Sequence, residues 1–148
     1  MYKRILVAVD GSHTSTEAVH EAIRLAGDQR ASLCFVYVVE EITINWDAEF
    51  ADPAEIWQAQ RQAGQKLLDH AVAVAQKCGI HANTRLVEIL KLGQRIPEAV
   101  AQAANDWQAD LIVVGTHGRR GLSHVFLGSV AEGIVRVANQ PVLLVRGN

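Results

Sequence analysis

The chain has 148 residues, of which 49% are hydrophobic, enough to bury a sizeable core and too many for a disordered polymer. Lys and Arg number 14 against 16 Asp and Glu, a formal charge of −2, so the basic footprint of a nucleic-acid binder is missing and none is expected as a partner. The opening MYKRILVAVDG carries a basic pair and then an apolar run too short for the core of a secretion signal. No later run approaches a membrane span, and the expectation is a cytoplasmic protein without membrane insertion, folded as one domain over residues 1–148. Cys34 and Cys78 stand alone, with no CxxC, and read as reduced packing residues rather than a disulfide.

Residues 5–9 form a continuous apolar run, as expected of a strand covered on both faces. It stops at the turn signal Asp10-Gly11-Ser12. Thr14 and Glu17 then have the spacing of a capping box for a helix that presents Ala18, Ala22, Leu25 and Ala26 and stops near Gly27. Residues 33–39 (LCFVYVV) make a second buried strand, rich in β-branched and aromatic side chains. Residues 40–52 show no clear period and read as a loop or short helical turns carrying Trp46 and Phe50. Asp52-Pro53 starts a helix, aspartate as cap and proline in the first turn. Its apolar positions are Ile56, Ala63, Leu67, Ala71, Val74 and Cys78, and it ends at Gly79.

A less apolar third strand over 81–89 is expected nearer an edge. A helix over 97–107 turns Val100, Ala103, Ala104 and Trp107 inward. Next comes DLIVVGTHGRRGLSHVFLGSV: a buried fourth strand (Leu111 to Val114), a loop punctuated by Gly115, Gly118, Gly121 and Gly128, and a helix opening near Gly128-Ser129. That helix is expected to bury Val130, Ile134, Val135 and Ala138, and PVLLV makes the fifth strand, opening at Pro141 and closing at Val145.

Strands and helices that alternate in this way imply right-handed βαβ crossovers, with helices on both faces of a parallel sheet. Such sheets bind ligands at the carboxyl ends of strands where the strand order reverses. A strand, a glycine-rich loop and a helix N-terminus are a physical recipe for holding phosphate, because backbone N–H groups converge there and the helix dipole favours an anion. Familiar phosphate and catalytic motifs are nevertheless missing: there is no GxxxxGK[ST], no GxGxxG, no GxSxG, no HExxH and no cysteine–histidine cluster.

The spacing Gly115-x2-Gly118-x9-Gly128-Ser129, together with the opening KRILVAVDGS and the closing segment through PVLLVR, resembles the universal stress protein family, in its ATP-binding branch. The resemblance implies a flavodoxin-like (Rossmann-like) α/β fold: an open, five-stranded parallel sheet in the order 3-2-1-4-5. Carried over by position, it implies that Ala8, Val9 and Asp10 line the adenosine side, with Val38 against the base. Gly115, His117 and Gly118 then follow the ribose and phosphates, and Gly128, Ser129 and Val130 receive the phosphates at the helix start. Arg119 and Arg120 stand where the family often has a small or hydroxyl residue; the doublet either adds phosphate contacts or sits in solvent. The implied ligand is ATP, or ADP or AMP, with Mg2+ or Mn2+ carried on the nucleotide. No metal ligand from the protein is assigned, beyond Asp10 beside a nucleotide-bound ion.

Several of these residues have purely structural alternatives. Gly115 and Gly118 could be turn glycines at positive φ. Ser129 could serve only to start its helix, and Asp10 either caps the first helix or touches ligand. The other histidines, His13, His20, His70, His81 and His124, read as surface or packing residues. The fifth strand, short and uncharged, would lie at a sheet edge open to pairing. Its expected cover is the same strand of a second subunit about a two-fold axis, a homodimer the resemblance also implies.

The leading expectation is a nucleotide-dependent switch of the stress response acting on an unidentified regulatory protein, without assigned catalytic residues and with slow hydrolysis at most. The rivals are a slow Mg-dependent ATPase or phosphoryl-transfer enzyme using Asp10 and His117, and a nucleotide-free interaction module.

Overall fold

A computed structural model describes residues 1–40, 52–117 and 127–147. The elements follow one another as β1 (Arg4–Ala8), α1 (His13–Gln29), β2 (Ser32–Val39), α2 (Pro53–Lys77), β3 (Ala82–Glu88), α3 (Ile96–Asp106), β4 (Leu111–Gly115), α4 (Ser129–Val137) and β5 (Val142–Val145). The five strands form one sheet in the order β3-β2-β1-β4-β5, with every pairing parallel. The adjacency that the sequence pattern left open is present: Ile5, Leu6 and Val7 pair with Leu111, Ile112 and Val113. The strand order reverses between β1 and β4, and β3 and β5 are the edges.

Side-chain alternation divides the core into two layers. Ile5, Val7, Leu33, Phe35, Leu111 and Val113 pack under α1 and α2, whereas Leu6, Cys34, Val36, Ile112 and Val114 pack under α3 and α4. Ile5, Leu6, Leu33, Phe35 and Ile112 are fully buried, each contributing about 1.5–3 kcal/mol through apolar surface removed from water. The strands therefore read as unbroken apolar runs, because both faces are covered.

Helix ends and faces differ from the local sequence signals in several places. The cap of α1 is Ser12, whose side chain accepts the Ser15 N–H, so the capping pattern expected from Thr14 and Glu17 is not used; Thr14 is buried. Nor does α1 stop at Gly27. It runs to Gln29 and ends at Arg30, which takes a left-handed conformation (φ 54°) and donates its N–H to the Ala26 carbonyl. At α2 the expected cap is found, with the Asp52 side chain accepting the Ala54 N–H at 3.0 Å. The buried face of α2, however, is Gly64, Leu68, Ala71 and Ala75, rotated from the expected Ala63, Leu67 and Val74; Cys78 is exposed. Close approach causes the rotation: Gly64 lies on the Tyr37 ring, where any Cβ would collide. In α4 the buried residues are Ala131 and Ile134, while Val135, expected inside, is 49% exposed. Residues 41–51, read from sequence as a loop with Trp46 and Phe50, lie outside the described residues.

Candidate functional site

The carboxyl ends of β1 and β4 meet at the first turn of α1. Gly11 turns the chain at φ +82°, a conformation other residues rarely adopt. Asp10 Oδ1 accepts the Ser12 N–H at 2.8 Å, and the Asp10 N–H donates to Ser15 Oγ at 3.0 Å. Asp10 thus shapes the turn while Ser12 performs the capping. Thr14 Oγ1 and Ser12 Oγ both donate to the His117 carbonyl, and the His117 N–H returns a bond to Thr14 Oγ1 at 3.3 Å. The start of α1 therefore clasps the backbone leaving β4.

Gly115 is explained by that clasp. A Cβ there would lie 2.6 Å from the Thr14 carbonyl carbon, so glycine is required for close approach; it is not among the positive-φ glycines. Thr116 continues the sheet register by donating its N–H to Val145 at 2.9 Å, and its carbonyl accepts the Gly128 N–H at 2.7 Å. That last bond sets the start of α4 directly against the end of β4. His117 Nδ1 lies 2.9 Å from Thr116 Oγ1, and His117 Nε2 is buried with no hydrogen-bond partner among the described residues.

Gly128 is the N-cap residue of α4, with extended backbone and no side-chain cap. α1 and α2 start under the side chains of Ser12 and Asp52, but α3, whose N-cap residue is Arg95, also starts without a side-chain cap. The two uncapped starts open on one cavity of about 300 Å3. Ser129 and Val130 line it from α4, Arg95, Ile96 and Pro97 from the start of α3, Glu40 from just after β2, and Ile89 with residues 91–94 from the loop between β3 and α3. Ala8, Val38 and Val130 are partly buried on this same face of the sheet, together with Ile96 and Leu127. Val9 belongs to the opposite core layer under α1 and α2, and donates its N–H to Val36. Gly118 and Arg119, with Arg120 and Gly121, lie outside the described residues. Among the described residues no group of three or more His, Cys, Asp or Glu side chains could hold a metal ion, and no helix is long and apolar enough to cross a membrane.

The model of the universal stress protein family matches residues 1–146. The chain belongs to the universal stress protein family. A universal stress protein of Methanocaldococcus jannaschii is 33% identical over 99% of this chain and 83% of its own length. A solved member of the family from Burkholderia pseudomallei shares 38% identity and a TM-score of 0.78, covering 97% of this chain and 96% of that one. Another universal stress protein, solved in complex with cAMP, is 26% identical with a TM-score of 0.70, over 99% of this chain and 98% of that one. The flavodoxin-like sheet order is thus the order of the family.

In this universal stress protein the sequence marks the α4 wall of the cavity, through Ser129 and Val130, but not the facing wall. The sequence assigns no role to residues 90–96, which stand between the strand over 81–89 and the helix over 97–107. The available signal was Lys91 and Arg95 flanking Gly93 just ahead of Pro97, cations placed where a helix was about to begin.

Proposed function

We propose that this chain is a nucleotide-binding regulatory protein of the stress response, taking an adenine nucleotide, foremost ATP, in the cavity between the α3 and α4 starts. The observation that carries this reading is the free first turn of α4: Gly128 provides no side-chain cap, and Ser129 and Val130 face the cavity they share with the start of α3. An anion there meets backbone N–H groups and the positive end of the helix dipole. The relative in complex with cAMP supports an adenine nucleotide as the class of ligand. Binding in preference to catalysis is supported by the employment of the two candidate catalytic groups. Asp10 holds the turn before α1, and His117 is clasped through its backbone and bonded to Thr116 through Nδ1.

The test pairs mass spectrometry of small molecules released on denaturation with calorimetric titration of ATP into the wild type and Ser129→Glu. A carboxylate in the first turn of α4 suits the helix dipole, by about 0.3–1 kcal/mol, but repels phosphate. Ser129→Glu should therefore melt no lower than the wild type and lose at least about ten-fold in ATP affinity, on the order of 1.4 kcal/mol. A wild-type protein that carries no nucleotide and shows no thermal shift with ATP would return the chain to the nucleotide-free interaction module.

We also propose a homodimer built on β5. The strand is an edge of the sheet, Leu144 is 37% exposed on it, and Val135 and Val137 on α4 add exposed apolar surface. A second copy of β5 running antiparallel would satisfy the open edge and cover this surface.

A further inference from the structure

The wall that faces α4 carries positive charge. Lys91 and Arg95 both line the cavity, and neither is engaged in an ion pair among the described residues. Three other arginines are paired: Arg24 with Glu21 and Asp28, Arg61 with Glu88, and Arg136 with Glu132. Glu40 is the one carboxylate lining the cavity, so its described lining has an excess of positive charge. The same wall ends in the uncapped start of α3, and the first helical residues of both helices, Ile96 and Ser129, border a single space. Cations and helix starts on two sides of one cavity suit an anion of more than one charge.

We propose that Lys91 and Arg95 read the free terminal phosphate of the bound nucleotide, so that this site prefers a nucleotide ending in a phosphate monoester over a cyclic one. The inference rests on the nucleotide reading above and goes further, because it assigns ligand selection to the β3–α3 loop. Charge and geometry both discriminate. A monoester phosphate carries about −1.5 to −2 at pH 7 and offers three acceptor oxygens, whereas a cyclic diester has one charge and two free oxygens. A guanidinium grips a phosphate through parallel N–H bonds, and an ammonium adds a point charge. Both side chains are exposed, so their contribution is screened by salt.

The experiment is calorimetric titration of AMP, cyclic AMP and adenosine, at low and at high salt. It uses the wild type, Lys91→Ala/Arg95→Ala, and the charge-conserving exchange Lys91→Arg/Arg95→Lys, each checked for native circular dichroism. The wild type should prefer AMP over cyclic AMP by about ten-fold at low salt, with the preference shrinking at high salt. The double alanine variant should lose about ten-fold for AMP and less than about three-fold for adenosine, removing the preference, and the exchanged variant should keep it. A double alanine variant that still prefers AMP to the wild-type extent overturns the assignment, as does a wild type with no preference. Failure of the wild type to bind any of the three compounds, or ATP in the titration above, is a different result: it removes the nucleotide reading itself, and this inference falls with it.

Discussion

Gly115 shows how one residue can carry a motif for a reason the motif does not state. In the sequence it looks like half of a phosphate signature; in the fold it is the point where α1 comes so close to β4 that Thr14 leaves no room for a Cβ. The glycine thereby lets Ser12 and Thr14 clasp the His117 carbonyl, which holds the strand exit against the start of α1. The two cysteines form a second contrast at this scale. Burial pushes the Cys34 thiol up to about 11, whereas Cys78 is exposed at the end of α2. At neutral pH a maleimide should label Cys78 in the native protein and reach Cys34 only after denaturation. A raised folded pKa favours the protonated thiol, so the contribution of Cys34 is complete below its unfolded value near 9 and is lost as pH rises toward 11. Denaturant unfolding from pH 8 to 11 should show a decline in the wild type of at most about 1.4 kcal/mol per pH unit that Cys34→Ala lacks.

At the scale of elements, caps were legible where a single local bond decides them and misleading where the tertiary partner decides. Asp52-Pro53 starts α2 by its own chemistry. Thr14, by contrast, has the composition of a cap and is drawn instead to His117, a residue from the far end of the chain. The face of α2 is set in the same way by Tyr37 of β2, which seats its ring against Gly64. Gly64→Ala offers a direct check. In an isolated helix alanine is favoured over glycine by about 1 kcal/mol, but here the added methyl meets the ring. Thermal unfolding should show a net loss of about 1–3 kcal/mol, the usual cost of overpacking. A gain in stability would mean that Tyr37 moves aside freely.

For the whole molecule, the sheet order matters most. With β1 and β4 adjacent at the centre, their carboxyl ends meet at the first turn of α1, and α3 and α4 begin on one cavity. The same order leaves β5 at an edge, with apolar surface outward. On the proposal that a second β5 covers this edge, Leu144→Lys should shift the protein from dimer to monomer in light scattering at micromolar concentration. A wild type that is already monomeric under those conditions would end that proposal.

From the sequence alone one could determine what local periodicity encodes: which runs are strands covered on both faces, which are helices, that they alternate, and that Gly128-Ser129 opens a helix after a glycine loop. The order 3-2-1-4-5 came with the family resemblance, because no local pattern states which strands are neighbours. Only the tertiary structure decided what depends on residues distant in the chain. Such contacts rotated α2 onto Tyr37, assigned Gly115 to Thr14, and brought Lys91 and Arg95 across from Ser129. The β3–α3 loop and the first turn of α4 share a cavity because α3 and α4 cross the same face of the sheet and start at the same end. Hydrophobic patterning fixes the face on which a helix packs, but the meeting of two helix starts follows from strand order and crossover hand, which are properties of the folded chain.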